Sequence, residues 1–275
     1  MEFRASYHGF VDSFEWHFGE TGGSSLPFLA TSIVGYLTVI FTLQLLLRQR
    51  KTAVPLGNLP AIHNLILCLG SLIMFLGALE ATISSQLLWL RQGSSKSTYL
   101  TAETGYRWLL CFPEDTLPRG RIFFWSYIYY LSKFYELLDT VILVLKKKPL
   151  SFLHVYHHSL VVVMCWLWLQ YSQSLQTIGL LTNTGIHVIM YWYYFMHSIG
   201  HPPPWRKFVT NGQIVQFLFS FTVSIPFVYL HVKESCAGFY AWLYNASFNF
   251  TLLLLFFNFH RRQYSSRTKV AKNAD

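Results

Sequence analysis

Residues 122–148 read IFFWSYIYYLSKFYELLDTVILVLKKK. From 122 to 145 the run is mostly apolar and aromatic, its only charged residues are Lys133, Glu136 and Asp139, and Lys146, Lys147 and Lys148 close it. A helix needs about 20 mostly apolar residues to cross a bilayer, so this stretch predicts a membrane span that ends at a basic boundary. Six further runs satisfy the same rule: 27–47 and 59–81 before it, and 151–171, 174–198, 208–230 and 238–259 after it. The predicted fold is an all-α membrane protein with seven transmembrane helices.

Composition agrees. Charged residues are 12% of the chain and hydrophobic ones 53%, whereas an ordinary soluble domain is about 25% charged. Such a chain is hard to enclose in a water-soluble shell, and lipid removes the difficulty. In a soluble protein the net charge of +9 would suggest nucleic acid. Here its placement explains it, and no nucleic acid partner is expected. One side of the membrane receives Arg48, Arg50, Lys51, the 146–148 lysines, Arg206, Lys207, Arg261, Arg262, Arg267, Lys269 and Lys272. The other receives Arg4, Arg91, Lys96, Arg107, Arg119, Arg121 and Lys233. The richer side is assigned to the cytosol. The chain then reads as one membrane-embedded domain, 1–275: a luminal N-terminal segment 1–26, a seven-helix region 27–259 and a basic cytosolic tail 260–275. The first 25 residues show no cleavable signal peptide, and 91–98 reads as a solvated loop. Cys68 and Cys165 fall in spans. Cys111 and Cys236 fall in two luminal loops, where an oxidising compartment permits a disulfide between them.

Ionisable groups in a bilayer are costly and each is a functional candidate. Lys133, Glu136, Asp139 and Thr140 lie in KFYELLDT, with Lys133 and Glu136 as i, i+3 neighbours. The alternative is a self-neutralised packing cluster. HVYHH places His154, His157 and His158 on one face at the cytosolic start of span four. That arrangement suits metal ligation or acid–base and nucleophilic work. In span five, Asn183, His187, Tyr191 and Tyr194 share a face, which also reads as an aromatic packing stripe. Span six opens TNGQIVQ, so Gln213 and Gln216 are one turn apart and Thr210 is a candidate helix cap. By helix rise, His157 lies ~9 Å, Gln216 ~12 Å, Glu136 ~14 Å and His187 ~17 Å inside the cytosolic ends of their spans. Four helices thus bring polar groups to similar depth. Facing one another, spans 3–6, and by extension 2–7, would enclose a pocket open to the cytosol.

KFYELLDT (133–140), HVYHH (154–158), HVIMYWYY (187–194) and TNGQIVQ (210–216) together resemble the ELO (ELOVL) family of very-long-chain fatty-acid elongases. HxxHH alone is shared with desaturases. The four motifs in this order are specific, and the resemblance covers about 121 to 264 strongly. It implies an endoplasmic-reticulum enzyme, N-terminus luminal and C-terminus cytosolic, that condenses acyl-CoA with malonyl-CoA to 3-ketoacyl-CoA, CO2 and CoA without metal or other cofactor. Membrane lipid, the reductases and dehydratase of the cycle, and a second copy in a homodimer are the expected partners. His154 in the first position of the box leans toward saturated or monounsaturated chains. The tail KVAKNAD has no clean di-lysine signal.

Cys165 is a poor nucleophile candidate, being i+8 from His157 and ~80° off that face. The favoured route makes His157 the acyl acceptor, with His187 acting on a thioester carbonyl or the malonyl carboxylate. His154 and His158 position the nucleophile, and Lys133, Glu136 and Asp139 hold the constellation. Thr140, Asn183, Tyr191, Tyr194, Gln213 and Gln216 are expected to bind thioester and pantetheine; Lys146, Lys148, Arg206, Lys207 and Arg261 are the candidates for the CoA phosphates, with a purely topological positive-inside role as the alternative for each. A direct route with histidine acting only as base is the alternative mechanism. The competing functions are a membrane di-iron desaturase or hydroxylase, pairing HVYHH with His197 and His201 of HSIGH, and a seven-span receptor or transporter.

Overall fold

The computed structural model describes residues 9–92 and 105–265. Arg4, Lys96, Arg267, Lys269 and Lys272 lie outside that range, as do most of the expected 91–98 loop and the end of the tail. The helices are α1 (Leu26–Leu46), α2 (Leu59–Gln92), α3 (Arg121–Glu136), α4 (Leu138–Leu145), α5 (Phe152–Gln170), α6 (Gln176–Ser198), α7 (Arg206–Glu234) and α8 (Phe239–His260). A 3₁₀ turn, Gly105–Leu109, precedes α3, and a wider turn, Arg261–Ser265, follows α8. Among the described residues, five helices are long and apolar enough to cross a membrane: α1, α2, α5, α7 and α8. The sixth, α6, has the length, but Gln176, Thr177, Thr182, Asn183, Thr184 and His187 lower its hydropathy.

Three expectations are corrected. Span two, expected at 59–81, continues to Gln92, so the solvated loop does not begin at 91. Span three is two helices meeting at Leu137, where the Leu137 N–H bonds Phe134 O and the Thr140 N–H bonds Leu137 O. Such i to i+3 bonds tighten the turn. Thr210 is not a cap: α7 begins four residues earlier, and the Thr210 hydroxyl donates back to Arg206 O at 3.4 Å.

Side-chain caps fix two helix starts. Ser25 accepts from Phe28 N–H ahead of α1, and Ser151 accepts from His154 N–H ahead of α5. The second places HVYHH in the opening turns of α5. Six elements pack in a closed ring: α2 on α6, α6 on α7, α7 on α8, α8 on α5, α5 on α3, and α3 on α2. The α1 helix lies outside the ring, against α4 and α5. Gly77 allows α2 to meet α3, because a Cβ there would run into the Trp125 ring.

One end of the ring is tied by loops. Cys111 and Cys236 are bonded, with their Cα atoms 5.1 Å apart. Beside the bridge the Ala237 N–H donates to Phe112 O, and Ser174 Oγ donates to Ala237 O while accepting from Phe112 N–H. Gly238 sits at φ +74, and a Cβ there would meet the backbone of Tyr171 and Gln173. The segment before α1 folds onto the same end. Trp166 Nε1, Tyr130 Oη and Tyr127 Oη donate to the carbonyls of Ser24, Gly23 and Gly22. At the opposite end Lys147 donates to the carbonyls of Leu47 and Arg50, joining two basic connections.

Candidate active site

The break at Leu137 aims three neighbouring polar side chains in different directions. Glu136 turns to Lys133, whose Nζ donates to Oε1 at 2.7 Å; both side chains are 1% exposed. The Lys133 ammonium also sits 4.0 Å from the centre of the Tyr129 ring, a cation–π contact. Asp139 is held from two helices, by His63 Nε2 of α2 and Tyr191 Oη of α6, each at 2.8 Å. Thr140 Oγ1 lies 2.9 Å from both Tyr36 Oη of α1 and His154 Nε2 of α5.

The three histidines of HVYHH therefore differ. His154 is anchored through Thr140. His158 is buried, with its ring centre 4.4 Å from that of His154 and 5.3 Å from that of His157. His157 stacks on Phe248 of α8, rings 6.1 Å apart and 16° from parallel. On α6, His187 meets Tyr191 edge-on and places Nδ1 3.7 Å from Glu136 Oε1. That is too long for a hydrogen bond.

A cavity of about 270 Å³ lies inside the ring, walled by Glu136, Asp139, His154, His157, His158 and His187. It reaches the helix ends at Ser151, Arg206 and Phe259. A second cavity of about 60 Å³ shares His157, Asn183, Gln216 and Phe217 with the first and extends toward Trp168 and Leu175, at the disulfide end. Glu136 Oε2 and the Nδ1 atoms of His157, His158 and His187 are sealed from solvent without a hydrogen-bond partner. Orphaned buried polar atoms are uncommon in folded proteins. Here the four belong to residues on three helices that line the larger cavity.

Of the residues expected to bind substrate, Asn183, Tyr191, Tyr194, Gln213, Gln216 and Arg206 line the larger cavity. Asn183 Oδ1 accepts from Tyr129 Oη at 2.6 Å, and Gln213 Nε2 donates to Met190 Sδ at 3.2 Å. Thr140 does not line it. It is fully buried, and its hydroxyl is engaged by Tyr36 and His154. Lys133 stands behind Glu136. Lys146, Lys148, Lys207 and Arg261 are exposed near the helix ends and line neither cavity. Cys165 is buried and also lines neither. His197 and His201 are exposed beyond the cavity wall, and no group of three or more His, Cys, Asp or Glu side chains is arranged to hold a metal ion among the described residues.

The sequence reading missed His63, Tyr36 and Tyr129. The only signal at His63 is one imidazole in the largely apolar first turns of α2, and its partner Asp139 is 76 residues away. The two tyrosines are indistinguishable from packing aromatics until their hydroxyls are located.

The family model described as ELO, GNS1/SUR4 family, matches residues 22–272. Among similar proteins, fatty acid elongase 3-like from Arabidopsis thaliana is 34% identical, covering 94% of this chain and 90% of its own. Fatty acid elongase sre1 from Dictyostelium discoideum is 35% identical, covering 96% and 93%. Fatty acid elongase A from the same organism is 32% identical, covering 100% and 97%. With a match spanning nearly the whole chain and these relatives beside it, the chain belongs to the ELO (GNS1/SUR4) family and is an enzyme of fatty acid elongation.

Proposed function

We propose that this enzyme is a very-long-chain 3-oxoacyl-CoA synthase, an acyltransferase that condenses long-chain acyl-CoA with malonyl-CoA by way of an acyl-imidazole at His157. In this reading α3 and α4 together form one span, giving seven. The two cavities are parts of one acyl tunnel, and Ser151, Arg206 and Phe259 mark its cytosolic mouth. The observation that supports the proposal is that Glu136, His157, His158 and His187, each with a buried polar atom lacking a hydrogen-bond partner, line the larger cavity, and that His157 also lines the narrower one.

The Nδ1 atom of His157 is sealed, so Nε2 attacks the thioester carbonyl. The C–N bond forms, the C–S bond breaks, and CoA leaves as thiolate, taking up the proton that the acyl-imidazolium loses. Malonyl-CoA then sheds CO2, and the resulting enolate carbon attacks the acyl carbonyl. The C–N bond breaks, the departing imidazolate takes a proton from water entering by the mouth, and imidazole is regenerated as 3-ketoacyl-CoA is released; one proton is consumed overall. His187, beside Glu136, orients the malonyl carboxylate or polarises a carbonyl. His154 and His158 hold the ring of His157. Tyr191, Tyr194, Asn183, Gln213 and Gln216 offer hydrogen bonds along the thioester arm. Arg206 grips CoA phosphate, and Lys146, Lys148, Lys207 and Arg261 add a basic field around the mouth. Imidazole and carboxylate suffice for these steps, so EDTA is expected to leave the rate unchanged. The enzyme acts in the endoplasmic-reticulum membrane, with the disulfide end luminal, beside the reductases and dehydratase that process its product.

The test is incorporation of radiolabelled malonyl-CoA into 3-ketoacyl-CoA by purified protein across a range of acyl-CoA lengths. Incorporation is expected for long chains, with a loss of ~100-fold or more in His157→Ala. No incorporation at any length, or full activity in His157→Ala, would overturn the proposal.

A further inference from the structure

The smaller cavity is not lined as a plain alkyl chain requires. Gln216 and Ser220 of α7 stand four residues apart on its wall, and Asn245 and Asn249 of α8 do the same. Asn249 Nδ2 donates to Ser220 Oγ at 3.2 Å, tying the two helices. Asn245 is 8% exposed, and its Oδ1 is sealed from solvent without a partner. Asn245 lies one turn of α8, about 5 Å, beyond Phe248 on the side away from the mouth, and the Phe248 ring stacks on His157. His157, Thr182 and Asn183 lie elsewhere on the wall, and apolar side chains, among them Val161, Met164 and Leu175, make up much of the remainder.

We infer that Asn245 and its neighbours form a polar station for a hydroxyl group carried partway along the acyl chain, making in-chain hydroxylated acyl-CoAs a favoured substrate class. This rests on the elongase reading above. A hydroxyl donates to Asn245 Oδ1 and accepts from a nearby amide N–H. A methylene leaves Oδ1 orphaned. A water satisfies it only by occupying space the chain needs in a cavity of about 60 Å³. A carbon–carbon double bond offers neither a strong donor nor a strong acceptor. The position of the hydroxyl therefore matters more than its presence.

The test uses purified full-length enzyme, radiolabelled malonyl-CoA and saturated acyl-CoAs of one length with the hydroxyl moved stepwise along the chain. Unsubstituted and polyunsaturated chains of the same length run beside them. The expected profile of kcat/KM has a single maximum at one in-chain position, about tenfold above the other hydroxyl isomers. Asn245→Leu flattens that maximum. It also raises the midpoint of thermal unfolding without substrate, because a near-isosteric apolar group replaces an unpaired one. A flat profile in the wild-type enzyme overturns the inference whether or not the variant folds. So does a preference for the polyunsaturated chain, or a maximum that survives in Asn245→Leu. Elongation of the unsubstituted chain with a flat profile defeats this inference alone, whereas no elongation of any chain defeats the elongase reading with it.

Discussion

His157 differs from the other two histidines of HVYHH in what its ring touches. His154 is committed to Thr140 and His158 is enclosed by its neighbours, while His157 borders both cavities. The charged residues behind it support this wall. Glu136→Gln strips the buried Lys133 ammonium of its counter-charge and is expected to destabilise the protein by ~3–5 kcal/mol. Thermal unfolding in detergent measures this, and adding Lys133→Met should recover most of the loss. His63→Ala removes one of the two partners of Asp139. It should lower kcat about tenfold with little change in KM for acyl-CoA, the scale of losing one buried charged hydrogen bond. His63→Gln, which keeps an N–H donor, should recover part of the rate. KFYELLDT and HVYHH stand out in the sequence because ionisable groups inside an apolar run are costly, although the sequence leaves a packing cluster open as the alternative for the first. His63 does not, because a single imidazole in such a run reads as a satisfied core residue until its distant partner is seen. Thr140 differs: its place in KFYELLDT suggested a substrate contact, but its hydroxyl lies against Tyr36 and His154 and it lines neither cavity.

Long elements are legible wherever apolar length alone decides them, as in α1, α2, α5, α7 and α8. The break at Leu137 is not. It shifts a few hydrogen bonds without changing the apolar pattern, yet it sends Glu136, Asp139 and Thr140 to different partners. The start of α7 was misplaced because Thr210 looks like a cap by residue type, whereas the helix begins near Trp205 with no side-chain cap. Two predictions belong at this scale. Cys111→Ser opens the covalent tie between the segment before α3 and the α7–α8 turn. The expected loss is ~2–5 kcal/mol, read as a lower unfolding midpoint that reductant reproduces in the wild type. Gly238→Ala meets the backbone of Tyr171 and Gln173 and imposes a side chain at positive φ. It should lower the midpoint as well, with no additive effect from reductant beyond that of the wild type.

Across the whole molecule, ring closure turns separate motifs into one enclosure. No single helix holds the site: α3 with α4, α5, α6, α7 and α8 all supply its walls, and only packing brings α8 beside α5 so that Phe248 covers His157. The sequence showed that the motifs lie at similar depth, but it could not show which faces meet, because helix order around a ring is not encoded in periodicity. The asymmetry of charge survives at this scale, with Lys146, Lys148, Arg206, Lys207 and Arg261 gathered at the helix ends that border the larger cavity. Arg206→Gln should raise KM for acyl-CoA several-fold and weaken its dependence on salt, since one charge-assisted phosphate contact is lost. The most direct test of the central claim is peptide mass spectrometry of purified enzyme incubated with acyl-CoA and no malonyl-CoA. The account predicts an acyl group on the peptide containing His157, one CoA released per acyl group bound, and discharge of the adduct when malonyl-CoA is added. An enzyme that elongates normally once malonyl-CoA is present, yet never carries acyl mass on His157, would contradict it.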